Sequence, residues 1–237
     1  MYVTRTTKTF IIPVFLLVIL ILTSFLYNET VLSVFRNEEL TPIRKGSNKD
    51  YIAFTCNVDW GTEFIPPMLD ILKKHDIKIT FFVSGRWAKN NPDMLKKIDE
   101  QGHEIGNHGY GHRMHSKLGI EDNKIEIEKT HNIVKDILGK DMYYFAPPAG
   151  DFNDITLKVA SECGYKTILW NIDTIDWRKD STSDKIIKRV LGKPLKSSIV
   201  LMHPKKETVK ALDYMIEAIK EKNIKIGTVS DVLNSLD

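Results

Sequence analysis

His108 and His112 stand four residues apart at the end of the run His103-Glu104-Ile105-Gly106-Asn107-His108-Gly109-Tyr110-Gly111-His112. Neutral imidazole is the commonest metal-binding side chain, and two at this spacing can grip one divalent ion. Gly109 and Gly111 weaken any helix between them, so the pair reads as a loop or a loose first turn after a strand. Seven histidines in 237 residues give some close pairs by chance, so the spacing gains weight only if other polar groups converge on it. His75, His103 and His131 have no evident partners, and His115, close enough to the pair to be a spare ligand, reads as solvated.

The framework around this pair begins at Tyr51, where short β-type runs start to alternate with helical ones, the pattern of a parallel sheet or barrel with covering helices. Strands are expected at Tyr51-Thr55, Thr80-Ser84, Glu104-Gly106, Tyr143-Ala146, Thr167-Trp170, Ile199-Met202 and Lys225-Gly227. Helices are expected at Ile65-His75, Pro92-Glu100, Ile120-Leu138, Asp154-Cys163, Ser183-Leu191, Thr208-Glu221 and Val229-Leu236. Asn91 before Pro92, Gly139 after Leu138 and Gly164 after Cys163 are start and stop signals.

Ahead of this domain the chain divides into residues 1–9, an apolar run at 10–27 and a polar stretch at 28–50. The run is long enough to cross a bilayer, and no small-x-small cleavage site follows it, so an uncleaved signal anchor is favoured over a cleaved signal peptide. Arg5 and Lys8 precede the span, which predicts a cytoplasmic N-terminus and a domain at 51–237 outside the cell membrane. Residues 28–50 read as a linker. With 42% hydrophobic residues, 27% charged residues and a formal charge of +3, the chain is neither disordered nor all membrane. Its lysines are scattered, so nucleic acid is not implied. Cys56 and Cys163 lie far apart and read more readily as buried thiols than as a disulfide.

In a parallel barrel the C-terminal ends of the strands converge on one face. Asn57 and Asp59 follow the first expected strand, His108 and His112 the third, and the Pro147-Pro148-Ala149-Gly150 turn the fourth. Asp173, Asp176 and Trp177 follow the fifth, and His203-Pro204 the sixth. Histidines and carboxylates arriving together on one rim describe a metal site with a general acid beside it.

From Tyr51 to Asp237 this order of motifs resembles the polysaccharide deacetylases of the NodB-homology type. The matching runs are His108 to His112, Ala146-Pro147-Pro148-Ala149-Gly150, Asp176-Trp177 and Leu201-Met202-His203. The runs Asn57-Val58-Asp59-Trp60-Gly61, Phe145-Ala146-Pro147-Pro148 and Leu201-Met202-His203-Pro204 look most like its sporulation-associated branch. The resemblance implies an α/β fold, a distorted (β/α)7 barrel, and metal-dependent removal of acetyl groups from N-acetylated cell-wall glycan. It implies a divalent metal, Zn2+ by preference, on His108 and His112, with Asp59 as a candidate third ligand. His203, oriented by Asp176, would be the general acid. Trp177, Pro148, Ala149 and Gly150 would face the glycan, with backbone N–H groups near Ala149 and Gly150 stabilising the oxyanion.

The departures are as informative. Aligned without a gap, Asn57 stands where the family has its catalytic base, Val58 where it has a metal-binding aspartate, and Ala146 where it has the arginine that pairs with the base. An amide cannot accept a proton as a carboxylate does. Side-chain alternation puts Asn57 and Asp59 on one face, so Asp59 could replace the missing ligand, act as base through a water, or simply cap the turn at Trp60-Gly61. Two functions follow as expectations: a deacetylase with an altered first motif, or a catalytically silent glycan-binding or regulatory member of the fold.

Overall fold

The computed structural model describes residues 40–233. The apolar run at 10–27 lies outside them, and among the described residues no helix is long and apolar enough to cross a membrane. β1 spans Tyr51–Val58. Its residues Ile52, Phe54, Cys56 and Val58 join the larger hydrophobic cluster, which the helices cover, while Ala53 belongs to a smaller one with Phe82, Tyr144, Ala146, Ile168 and Ile199. That split follows from the two-residue period of a strand buried on both faces.

The remaining strands are β2 (Thr80–Val83), β3 (Glu104–Asn107), β4 (Tyr144–Phe145), β5 (Lys166–Thr167), β6 (Ile172–Asp173), β7 (Ile199–Met202) and β8 (Lys225–Gly227). They pair in parallel in the order β5-β4-β3-β2-β1-β7-β6. Ala53 pairs with both Ile199 and Gly227, so β8 lies on the side of β1 opposite β7. Among the described residues the sheet is therefore a curled, open half-barrel of eight strands, where a distorted (β/α)7 barrel was expected. Its edges, β5 and β6, do not pair. Residues 41–50, read as the end of a linker, are built into this domain: Ile43 bridges to Ile168 and Lys45 to Ser198. Their backbone groups thus meet polar edges that would otherwise be open.

The helices are α1 (Ile65–Lys74), α2 (Gly85–Asn90), α3 (Pro92–Glu100), α4 (Ile120–Leu138), α5 (Asp154–Glu162), α6 (Ser183–Leu191), α7 (Lys206–Lys220) and α8 (Val229–Leu233). Local chemistry sets their ends. Pro92 opens α3, Gly139 closes α4 in the left-handed region, and Asn153 and Thr156 form a capping box at α5. Cys56 is buried and Cys163 half-buried, both as free thiols.

Candidate active-site cleft

The C-terminal ends of the strands meet in a cleft of about 380 Å3 lined by Asn57, Trp60, His108, His112, Ala149, Trp170, Asp173, Trp177, Leu201 and His203. Larger hollows of about 610 and 630 Å3 lie where β3 begins and between α3 and α4. Volume does not locate the chemistry here; the convergence of histidines does.

His108 follows β3, and its Nδ1–H donates to the Ala146 carbonyl at 2.6 Å. That bond leaves the Nε2 lone pair unprotonated. Burial, followed by the neighbouring His112 charge, pushes the His108 pKa down to about 3, so the ring stays neutral. The His112 ring lies 5.1 Å away, edge to face. His112 holds a φ of 55°, and Ala149 across the cleft one of 56°. Such left-handed residues persist only where surrounding structure fixes them. For the histidine loop the fixing group is Glu126 on α4, buried, whose carboxylate accepts the Tyr110 and Gly111 N–H groups at 2.9 and 2.7 Å. Gly109 is required between them: its φ is 68°, and a Cβ there would lie 2.9 Å from His115 Nε2.

His115 is not solvated as its polar surroundings in sequence suggest. It is fully buried, donates from Nδ1 to Asn123 Oδ1 at 2.6 Å, and packs against Phe145. His75 meets Asp213 at 2.7 Å, and His131 lies between Tyr165 and Asp141. His103 is buried and accepts the Ile79 N–H.

Where β1 ends, Asn57 faces the cleft and Val58 the core, as alternation requires. Asp59 departs from expectation: it does not line the cleft beside Asn57. The strand has ended, and Asp59 turns to the next β–α unit. There Oδ1 accepts Ser84 Oγ–H at 2.6 Å and Arg86 Nε–H at 2.7 Å, and Oδ2 accepts Arg86 Nη2–H. Burial raises its pKa, but the Arg86 and Ser84 hydrogen bonds and the His112 and Arg86 charges outweigh it and hold the carboxyl below its usual range. Trp60 is 40% exposed and stacks on the His203 ring at 5.6 Å. Gly61 makes the turn possible, with a φ of 79° and only 2.2 Å between its ideal Cβ position and the Pro204 carbonyl oxygen. Gly61→Ala is expected to lower stability by at least about 1–2 kcal/mol, measured by urea unfolding. An unchanged midpoint would show that the Trp60–Pro204 corner gives way freely.

At the end of β7 the His203 Nδ1–H donates to Asp176 Oδ1 at 2.7 Å, and its backbone N–H donates to Oδ2 at 2.7 Å. Thr208 Oγ1–H donates to the same Oδ2 at 2.7 Å. Burial raises the Asp176 pKa, but these bonds and the His203 charge bring it below the ordinary carboxylate value. His203 Nε2 is thereby left for whatever occupies the cleft. Trp177, 54% exposed, forms another part of the wall. Of the turn residues Pro148, Ala149 and Gly150, only Ala149 lines the cleft. The Gly150 N–H donates to the Pro147 carbonyl at 2.9 Å, so it is not free for an oxyanion as expected.

The donor set can be tested against a divalent cation. His108 fits, with its Nε2 lone pair free. Asp59 does not, because the Arg86 guanidinium already neutralises its carboxylate, and the donor atoms of His108, His112 and Asp59 do not gather within 4.8 Å of one another. Among the described residues a set that does so is His75, Asp213 and Glu217, where Lys74 already sits on Asp213 at 2.8 Å. The residues present therefore do not form the expected three-donor centre.

This curled α/β sheet, with a histidine pair and a histidine–aspartate pair on one rim, defines a deacetylase-type fold. A polysaccharide deacetylase family model matches residues 44–168, and the chain belongs to that family. It is 40% identical over 194 residues to the uncharacterized protein YlxY of Bacillus subtilis, covering 81% of this chain and 60% of that protein's length. A peptidoglycan-N-acetylglucosamine deacetylase of Bacillus cereus is 33% identical over 193 residues, covering 79% of this chain and 70% of the relative. The crystal structure of BA3943, a CE4 family pseudoenzyme from Bacillus anthracis, superposes with a TM-score of 0.80 at 39% identity, covering 83% of this chain and 70% of that one.

Ser84, Arg86, Glu126 and Thr208 are the residues that sequence reasoning missed. Ser84-Gly85-Arg86 stands at the end of the second strand, on the same rim, and that position is the signal that marks Arg86. Glu126 lies in a helix that reads as ordinary and amphipathic, and nothing in the sequence marks it.

Proposed function

We propose that the cleft binds N-acetylated cell-wall glycan and that amide hydrolysis, the reaction of the family, is suppressed in this chain. The observation that carries this reading is the end of β1, which presents the amide of Asn57 to the cleft while Asp59 is turned away onto Arg86. An amide cannot take a proton from water, so the general base is missing. Trp60 and Trp177 suit the apolar faces of sugar rings, and the polar groups between them suit hydroxyls and the acetamido group. The 39% identical pseudoenzyme structure supports the same reading. The apolar run at 10–27 supports a membrane-anchored domain outside the cell, and the Asn57-Val58-Asp59-Trp60-Gly61 run supports a place in the sporulation-associated branch.

One observation favours active hydrolysis as a second reading: the His203–Asp176 pair is fully assembled. Asp176 would hold the ring so that Nε2 delivers a proton to the leaving amine. The two readings separate when the full-length chain, in mild detergent, is mixed with insoluble N-acetylated peptidoglycan. Co-sedimentation that falls at least about tenfold in Trp177→Ala, with acetate release no greater than in His203→Ala, is the expected result. Acetate release that disappears in His203→Ala would establish the deacetylase instead.

A further inference from the structure

Asp59, one residue beyond β1, acts by its charge on both His108 and His112, yet its side chain is only 5% exposed and accepts three hydrogen bonds. The Arg86 guanidinium meets it as a fork, Nε–H on one oxygen and Nη2–H on the other, while Ser84 adds a third bond. This is the bidentate geometry that makes arginine a strong carboxylate partner. Arg86 is itself held by the histidine loop: its backbone N–H donates to the Tyr110 carbonyl at 3.1 Å, and the Gly85 N–H donates to the Gly109 carbonyl at 2.9 Å. The backbone that carries Arg86 is therefore tied directly to the loop that carries the two histidines. A divalent ion drawing Asp59 Oδ2, which accepts one hydrogen bond, into its coordination sphere would have to sit beside a guanidinium that cannot lose its charge.

We infer that Arg86 stands in for a metal's charge at Asp59, leaving His108 and His112 as a weak two-nitrogen donor set, and that Arg86 is the residue excluding a tightly held divalent ion. This goes beyond glycan binding and does not depend on it. Removing the Arg86 side chain would free Asp59 to become the third ligand, and a bound ion would then replace the lost counter-charge.

The test is Zn2+ titration calorimetry, with Co2+ visible absorption as a second readout, on the full-length chain. His75→Ala is present throughout to remove the separate His75–Asp213–Glu217 group. Arg86→Met is expected to bind Zn2+ at least about a hundredfold more tightly than the parent, with Co2+ bands of a low-coordinate site. Adding Asp59→Asn to Arg86→Met should return affinity to the parental value, and His108→Ala should abolish the gain. Equal affinity in the parent and Arg86→Met would overturn the inference. Should Arg86→Met fail to fold, Asp59→Asn alone decides: unchanged Zn2+ affinity supports the inference, and a clear loss shows that Asp59 was already a ligand.

Discussion

Asp176→Ala is expected to destabilise the domain by about 3–5 kcal/mol at pH 7, because it strips three buried donors of their shared acceptor. Those donors are the His203 backbone N–H, its Nδ1–H and the Thr208 hydroxyl, each at 2.7 Å. Asp176 is 2% exposed, so water cannot readily replace them. The pH dependence has a definite sign. Although burial pushes its pKa up, the His203 and Thr208 bonds and the His203 charge leave the folded carboxyl below the unfolded value. Its contribution is therefore fully present above the unfolded pKa near 3.9 and lost as pH falls through the folded one. Urea unfolding at pH 7 and pH 3 should show the gap between wild type and Asp176→Ala narrowing in acid. A loss at pH 7 below about 1 kcal/mol would show that the site relaxes to satisfy these donors another way. Thr208→Val, which removes one of the three bonds, should cost about 1 kcal/mol.

Much of the architecture was legible because its signals are local. α3, α4, α6, β7 and β8 begin and end where the sequence reading put them, since proline, glycine and the apolar period act within a turn of the chain. β6 was missed because two residues carry no period, and only pairing with Val200 and Leu201 makes them a strand. α2 escaped notice because six residues between β2 and Pro92 are too few to show a helical face, although Ser84 caps it through the Trp87 N–H. The burial of His115 is hidden for a related reason: it depends on Asn123 eight residues away and on Phe145 in β4. Polar residues collected at strand ends did converge, because a parallel sheet carries every C-terminal end to one rim. What the pattern could not supply was the direction of Asp59 once its strand had ended, which a side chain 27 residues away decides.

The three departures at the cleft form one electrostatic arrangement. A carboxylate base needs a cationic partner when buried, and this chain has an amide at Asn57 and an alanine at Ala146, within the apolar cluster of Phe82, Tyr144 and Ile168. Neither leaves an unpaired charge. The carboxylate that remains, Asp59, has Arg86. The carboxylates of Asp59 and Asp176 are thus met within the protein itself, by Arg86 and by the His203 and Thr208 donors, which accounts for a stable cleft without the expected three-donor centre.

Restoring only one member of such a set should expose the imbalance. Asn57→Asp places a carboxylate at a 4% exposed position, with Ala146 offering no cation and Arg86 already bound to Asp59. Desolvation then dominates and raises the new carboxyl's folded pKa above its unfolded value. For an acid shifted upward, the folded state binds the extra proton. The variant should match wild type below about pH 4 and lose stability as pH rises through the folded pKa, by about 2–3 kcal/mol at pH 8. Thermal melting across that range checks the sign, and equal melting temperatures at pH 8 would mean that His108 or His203 charges to compensate. Acetate release from N-acetylglucosamine oligomers in the presence of Zn2+ should then depend on both sites. Asn57→Asp combined with Arg86→Met is expected to exceed either single variant by about 10²-fold, the lower end of what a positioned base contributes. If Asn57→Asp alone equals the pair, the amide by itself silences the cleft and Arg86 has no part in its chemistry.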